Sequence, residues 1–269
     1  MSTSQSTRAV AFLPSHPEHD PMYRILDCGD AAFTIEFGQR IDPALQERVR
    51  MLDAAVAATH DQGRLPGLIE AVPTFRSLTV LYDPLLTTRE ALLGSIAPLI
   101  DADTVAATAP VRHWRLPACY DGDFGPDLDD VARLAGATRE DVIALHTGTE
   151  YVVYMLGFLP GFPFMGDVAP ALALPRRSEP RVRVPAGSVA IATGLTAIYP
   201  WESPGGWHLL ARCPVPLFNA QRNPPALLQA GDRVRFEAVD AAEYQRLDAA
   251  LAAGELDPAS LITGPAGRP

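Results

Sequence analysis

The sequence predicts an α+β protein in which a small N-terminal α+β domain is followed by a β-barrel domain. Two observations predict this order. Up to about residue 105, short apolar runs and segments of helical periodicity follow one another as ββαββα, an order that is typical of a compact α+β unit. From Tyr151 to Val239 the helical period is absent, and short apolar runs alternate with Pro and Gly turns, as in a barrel or sandwich.

The N-terminal domain is expected over residues 21–105. Two strand-like runs that meet at Gly29-Asp30 predict a hairpin, because glycine relieves a tight turn. A helix is expected behind Asp42-Pro43, since a capping residue followed by proline is typical of a first helical turn. A second helix is predicted to open at Thr87, because Glu90 follows it at the spacing of a capping box.

The barrel domain is expected over residues 106–240, and a C-terminal helix and tail over residues 241–269. The barrel domain opens with a strand and two helices. The second helix is expected to begin behind Thr138 and to end at Gly148. The first helix carries apolar residues at a spacing that predicts one shared face, namely Leu128, Val131 and Leu134.

The composition excludes several classes of partner and of chemistry. The formal net charge of −10 repels a phosphate backbone or an anionic membrane surface, so neither nucleic acid nor membrane is an expected partner. All 22 basic side chains are arginine, which excludes Schiff-base lysine chemistry and the lysine of a phosphate-binding P-loop. The three cysteines form no C-x-x-C pair, and no apolar run approaches the about 20 residues of a membrane-spanning helix. A cytoplasmic location is therefore expected.

The first 20 residues are rich in Ser, Thr, His and Pro and predict a mobile tail. Within this tail, the segment from His16 to Asp20 has the composition of a metal site. A chain broken by proline does not hold ligands rigidly, so no metal site is expected.

The segment from Gly157 to Gly166 is a shaped loop, since its alternating Gly, Pro and aromatic residues suit neither a helix nor a central strand. Phe158, Phe162 and Phe164 are expected to wall an apolar pocket, with glycine letting the backbone approach a ligand. A rigid structural turn that buries three rings is the alternative.

Four arginines lie among prolines between Pro175 and Ser188. A guanidinium group donates two parallel hydrogen bonds, which suits recognition of a carboxylate or phosphate. Strand alternation would place Arg181 and Arg183 on one face. Arginines on a solvated strand face are the alternative.

A third cluster runs from Tyr199 to His208. Its Gly205-Gly206 pair can present backbone N–H groups to an oxyanion, with Ser203 or Glu202 orienting it. A hairpin with a Gly-Gly turn is the alternative. The helix-end residue His146 is a candidate for proton transfer, against a structural or capping role.

Together these segments resemble one family, the B subunit of bacterial 5-oxoprolinase, also described as allophanate hydrolase subunit 1 or kinase-inhibitor-like, in the carboxyltransferase subdomain C and D superfamily. The resemblance rests on the pair Leu145-His146 and on the segments PTFRSLTVLYDP, GDFGPDLDDVARLAG, YVVYMLGFLPGFPFMG, PRRSEPRVRVPAGSVAIA, IYPWESPGGW and PALLQAGDRVRF.

The resemblance implies a cyclophilin-like β-barrel and a chain that is one component of a hydrolase acting on a cyclic amide. The partners would be a homologous C subunit and a separate A subunit. Together they would use ATP with Mg, held on this chain or on a partner, to open the lactam of 5-oxoproline and give L-glutamate.

This reaction gives the clusters roles. His146, Arg181 and Arg183 are expected to be the catalytic groups, with His146 assisting proton transfer and the arginines supplying positive charge. The expected substrate-binding residues are Phe158, Gly161, Phe162, Arg176, Ser188, Tyr199, Ser203, Gly205, Gly206 and Trp207.

Three positions depart from the family pattern. Leu195 replaces an amide side chain, Ala197 replaces a glycine, and Cys213 stands where threonine is usual. These departures would fit a different substrate or a subgroup without 5-oxoprolinase activity. The resemblance itself leaves two alternatives open: a component of another ATP-dependent amidase or urea-amidolyase assembly, and a regulatory protein that inhibits a sensor histidine kinase.

Overall fold

The computed structural model describes residues 23–101 and 111–264. The predicted N-terminal tail, with its segment from His16 to Asp20, lies outside the described residues. The same holds for residues 102–110 and for residues 265–269.

The first part of the chain forms an antiparallel four-stranded sheet with strand order β1-β2-β4-β3. Two helices accompany it, and the predicted ββαββα order is confirmed. The elements are β1 (Arg24–Asp27), β2 (Ala32–Glu36), α1 (Pro43–Asp61), β3 (Leu68–Pro73), β4 (Ser77–Tyr82) and α2 (Arg89–Asp101).

Both helices begin at capped ends. Asp42 caps α1 as predicted, because its carboxylate accepts a hydrogen bond from the Ala44 backbone N–H at 2.8 Å. At α2 the cap lies one residue later than predicted: the side-chain oxygen of Thr88, not Thr87, accepts from the Ala91 N–H at 3.2 Å. The apolar face of α1 packs on the sheet, where alternate residues of the strands are buried. The core residues on α1 are Val49, Leu52 and Val56, and those on β2 and β4 are Phe33, Ile35, Leu78 and Val80.

The second part of the chain builds a closed barrel, and the predicted α+β class is confirmed. Within the described strands, seven close in the order β12-β9-β10-β7-β6-β13-β5, and the pairing of Arg212 with Cys119 joins the ends. β14 adds to β5, and β8 with β11 forms a separate two-stranded sheet. The strands are β5 (His113–Cys119), β6 (Tyr151–Leu156), β7 (Pro163–Gly166), β8 (Arg181–Val184), β9 (Ser188–Ala192), β10 (Leu195–Ile198), β11 (Ser203–Gly205), β12 (His208–Arg212), β13 (Arg233–Val239) and β14 (Ile262–Thr263).

Among the described residues, three α-helices belong to the barrel part: α3 (Leu128–Ala135), α4 (Arg139–Gly148) and α5 (Ala241–Ala252). Thr138 and Asp141 form a full capping box at the start of α4, as the spacing predicted. The predicted face of α3 is wrong at Leu134, whose side chain is 50% exposed. At 3.6 residues per turn, Leu134 lies roughly 110° around the helix from the buried face.

The two parts of the chain contact each other through the turn between β3 and β4. The Phe75 ring in this turn packs against Tyr154, with a centroid distance of 5.7 Å, and against Phe164 at 5.9 Å. Because Tyr154 lies on β6 and Phe164 on β7, Phe75 packs against two neighbouring strands of the barrel.

Candidate functional site

The loop that joins β6 to β7 carries two residues with left-handed backbone. It is shorter than predicted, because Pro163–Gly166 form strand β7 between β6 and β10. Gly161 has φ +78°, and a Cβ atom there would lie 2.9 Å from the Phe218 Cβ and 3.1 Å from the Leu217 carbonyl oxygen. Gly161 thus permits a close approach to the protein's own chain, not to the cleft. Phe158 has φ +68°, a conformation that costs a non-glycine residue energy, and its ring is 65% exposed.

Aromatic rings gather around Phe162, which is buried. Its ring centroid lies 4.9 Å from Phe164, 5.1 Å from Tyr199 and 5.4 Å from Phe158. The contacts with Tyr199 and Phe158 are edge-to-face, a favourable geometry for aromatic pairs. The cluster forms the floor of a surface cleft.

This cleft, the aromatic cleft, has a volume of about 350 Å³. It brings together seven of the predicted site residues, namely Phe158, Phe162, Arg176, Tyr199, Gly205, Gly206 and Trp207. Sequence reasoning placed Phe164 at such a pocket wall but missed three further lining residues, which are Arg177, Pro180 and Pro204. Arg176 is exposed and makes no hydrogen bond or ion pair with any described residue.

Tyr199 lies close above Gly205. A Cβ atom at Gly205 would lie 2.4 Å from the Tyr199 hydroxyl oxygen, so only glycine fits there. Burial raises the pKa of Tyr199, against the opposing effect of the Arg176 and Arg181 charges. The phenol therefore stays protonated at neutral pH and can donate a hydrogen bond.

Asp127 organises the arginine segment, and sequence reasoning missed it. Its carboxylate is buried and accepts hydrogen bonds from Arg177 Nη1 at 3.0 Å and from Arg181 Nη2 at 2.5 Å. The second oxygen accepts from the Leu209 backbone N–H at 2.7 Å. Asp127 thereby fixes Arg177 at the edge of the aromatic cleft, while Arg181 is held behind it and does not line it.

Arg183 points to a different partner from Arg181. It forms a two-bonded pair with Glu202, with both N–O distances 2.9 Å, and its side chain is 75% exposed. Its position fits the alternative of a solvated surface arginine. Arg181 and Arg183 therefore bind different carboxylates, those of Asp127 and Glu202, and their joint action from one strand face stays a prediction.

The structure does not bring His146 to the cleft. Its imidazole is fully buried, stacks on Phe236 at 4.7 Å and bonds to the Tyr120 hydroxyl at 2.7 Å and the Thr196 hydroxyl at 3.0 Å. Thr196 donates its hydrogen to the Ala190 carbonyl, so the His146 Nε2–H donates to Thr196 and Nδ1 accepts from Tyr120.

Burial lowers the pKa of His146 to about 3, which keeps the ring neutral. A side chain with no access to solvent does not reach a substrate. The predicted proton-transfer role is therefore replaced by a structural one.

Two predicted serines also lie outside the cleft. Ser188 is buried at the start of β9, and Ser203 is buried in β11, where its hydroxyl donates to the Pro204 carbonyl at 3.3 Å. Leu195 and Ala197, the departures from the family pattern, are buried in an apolar cluster with Phe162. Leu195 therefore contributes packing where an amide would need a partner.

The described residues contain no group of three or more His, Cys, Asp or Glu side chains that could hold a metal ion. In the same part of the chain, no helix has the length and apolar character that crossing a membrane requires.

Comparison with known proteins places these features in a family. The model of the carboxyltransferase domain, subdomain C and D, matches residues 23–228. A protein from Bacillus subtilis that is named as the B subunit of 5-oxoprolinase is 42% identical over 232 residues, which cover 82% of this chain and 95% of that protein. The chain belongs to the family of 5-oxoprolinase B subunits. The resemblance inferred from its motifs is thus confirmed.

Solved structures share this fold. The crystal structure of TTHA0988 is 40% identical, with a TM-score of 0.68, and the match covers 78% of this chain. It covers only 40% of the TTHA0988 chain, so that protein is much longer. The urea amidolyase of K. lactis shares the fold, with a TM-score of 0.68 at 18% identity over 88% of this chain and 16% of that one.

Proposed function

We propose that this family member is the B subunit of an ATP-dependent 5-oxoprolinase, which opens the lactam of 5-oxoproline to give L-glutamate. The observation that carries the proposal is the aromatic cleft, where the unpaired guanidinium group of Arg176 lies beside apolar ring faces. A small ring that bears one carboxylate needs both features. The relative from Bacillus subtilis carries the name of this component.

Each wall of the cleft has a role in this proposal. Arg176 pairs with the substrate carboxylate, since a guanidinium fork matches its two oxygens. Phe162 and Trp207 cover the ring of the substrate, and Gly206 supplies a backbone donor to the lactam oxygen. In support, the Gly206 N–H donates no hydrogen bond to a described residue, whereas its carbonyl accepts from the Arg177 N–H at 2.8 Å.

ATP is needed because an unstrained amide resists hydrolysis. Phosphoryl transfer to the lactam oxygen forms an O–P bond, breaks the bond to ADP and makes the ring carbon more electrophilic. Attack by one water expels the amine and leaves an acyl phosphate, which a second water hydrolyses to glutamate and phosphate.

The ATP and Mg sites belong to a partner protein in this proposal. Mg²⁺ prefers carboxylate and phosphate oxygens, and the described residues gather no cluster of three metal-binding side chains. The chain also has no lysine, so it lacks the usual P-loop cation.

The partners are a homologous C subunit and a separate A subunit, and the complex works in the cytoplasm. The name of the Bacillus subtilis relative describes one component of an assembly, which supports such partners. TTHA0988, whose chain is much longer than the matched part, supports a barrel that works joined to further protein.

The test is co-expression with homologues of the A and C subunits, followed by measurement of glutamate formed from 5-oxoproline. We expect glutamate only with ATP and only when this chain is present. A stable three-component complex that binds ATP and forms no glutamate from 5-oxoproline would contradict the proposal.

A further inference from the structure

A second cleft, the polar cleft, lies beside the aromatic cleft and has a volume of about 270 Å³. Arg176 and Arg177 line both clefts, so this pair forms a common edge between them. The far wall of the polar cleft is α3, which contributes Asp130 and Arg133, and His208 of β12 lies in the lining as well.

Positive charge dominates the polar cleft. Its lining contains three guanidinium groups, those of Arg133, Arg176 and Arg177, and one carboxylate, that of Asp130. Arg133 donates to Asp130 at 3.0 Å, and both of these side chains are more than half exposed. In a chain with a formal net charge of −10, such a concentration of cations favours an anionic ligand.

Two buried nitrogen atoms in the lining of the polar cleft also lack a hydrogen-bond partner within the described part of the chain. Arg177 Nε and His208 Nδ1 are buried and have no hydrogen-bond partner among the described residues. His208 is 6% exposed, and its Nε2 already donates to the Pro175 carbonyl at 3.0 Å. Buried polar groups are nearly always bonded in proteins, so the unbonded Nε–H of Arg177 points to a ligand that accepts a hydrogen bond. With Nε2 donating, Nδ1 of a neutral His208 ring is an acceptor, so His208 adds no donor for this ligand.

We propose that the polar cleft is a phosphate subsite, in which Arg133 and the shared pair Arg176 and Arg177 hold a tetrahedral oxyanion. The assignment rests on the proposed function, because that reaction makes a phosphorylated substrate and then releases phosphate. Arg176 and Arg177 would stand between the carboxylate ring in one cleft and the phosphate in the other. Asp127 keeps Arg177 in place from behind.

The number of donors in the lining favours phosphate over a second carboxylate. Three guanidinium groups offer more donors than one carboxylate accepts, whereas a phosphate dianion accepts from several at once. The Ser178 side chain, which also lines the cleft, adds a neutral donor.

The test is isothermal titration of the full chain with inorganic phosphate and, separately, with ADP. Arg133→Ala should weaken phosphate binding about tenfold by removing a charge-assisted donor. Asp130→Asn should strengthen it about threefold by removing the opposing charge. Arg139→Ala is the matched control, because Arg139 pairs with the exposed Asp129 and lines neither cleft.

The opposite signs of the two variants separate a subsite from general damage to the fold. Phosphate affinity that is equal in wild type, Arg133→Ala and Asp130→Asn would overturn the proposal, as would wild-type protein without saturable binding. Competition by ADP would identify the phosphate as that of a nucleotide, and its absence would identify released phosphate.

Failure of this subsite is distinguishable from failure of the proposed function. If the wild-type chain does not bind phosphate saturably but its complex still forms glutamate, the subsite alone is overturned. Arg133-dependent phosphate binding in a complex that forms no glutamate supports the subsite and contradicts the assigned reaction.

Discussion

Asp127 lies at the N-cap position of α3, yet its carboxylate accepts a hydrogen bond from Arg177 at 3.0 Å and makes no bond to the helix. An aspartate at this position ordinarily caps its own helix. Here the helix forgoes that stabilisation, and the same oxygen also accepts from Arg181. The carboxylate therefore ties α3 to the arginine segment 50 residues away.

Asp127→Asn should destabilise the protein by about 3 kcal/mol, because removing a buried charge leaves two arginines without their counter-ion. Urea unfolding followed by circular dichroism measures this change. Glu202→Gln is the matched control, since it removes the partner of the exposed Arg183, and we expect no measurable effect. Equal destabilisation by both variants would contradict the special role of Asp127.

His146 should make the protein less stable in acid. Its pKa falls from 6.5 in the unfolded chain to about 3 in the fold, so between these values the unfolded chain binds the extra proton. Stability is then lost as pH falls below about 6.5, by about 2 kcal/mol at pH 5 from this group.

The measurement is the free energy of unfolding at pH 7 and at pH 5 for wild type and His146→Gln. The variant lowers stability at both values, but its loss between pH 7 and pH 5 should be smaller than that of wild type by about 2 kcal/mol. If the free energy of unfolding changes equally with pH in wild type and His146→Gln, His146 takes up a proton in the folded protein as readily as in the unfolded chain, which would contradict the prediction.

Asp53 should have the opposite pH dependence. It lines a cleft of about 410 Å³ between α1 and the barrel, with Arg50 and Glu70 nearby, and burial raises its pKa to about 6. The folded state therefore binds the extra proton between pH 3.8 and 6, and stability falls as pH rises through this range. Above pH 6, Asp53→Asn should be more stable than wild type by about 2 kcal/mol.

Thermal unfolding at pH 5 and pH 8 tests this expectation, with Asp61→Asn at the exposed end of the same helix as control. We expect Asp53→Asn to be more stable than wild type at pH 8 and this difference in stability to be smaller at pH 5, where the buried carboxyl group is protonated. A variant that is less stable at pH 8 would contradict it.

The sequence predicted those helices and strands that depend on neighbouring residues in the chain. The helix behind Asp42 follows from its cap and the proline after it, and α5 (Ala241–Ala252) begins where the C-terminal helix was expected. The sequence also picked out the segments that supply Phe162, Tyr199 and Gly205 to the aromatic cleft, from their unusual content of Gly, Pro and aromatic residues.

The misses concern contacts between distant residues. Asp127 was missed, because its partners Arg177 and Arg181 lie 50 and 54 residues away in the sequence. His146 looked available at a helix end, and nothing local showed that Phe236 and Thr196 would enclose it. Nor did the sequence show that Arg181 and Arg183, two residues apart, would pair with the different carboxylates of Asp127 and Glu202.

The kinetics of two arginine variants test the central claim most directly. In the complex with the A and C subunits, the rate of ATP-dependent glutamate formation is measured against 5-oxoproline concentration for Arg176→Ala and Arg183→Ala. We predict a KM for 5-oxoproline raised about tenfold or more by Arg176→Ala, because a carboxylate contact is lost, and wild-type kinetics for Arg183→Ala. Unchanged KM in Arg176→Ala, or equal damage in both variants, would contradict the aromatic cleft as the substrate site.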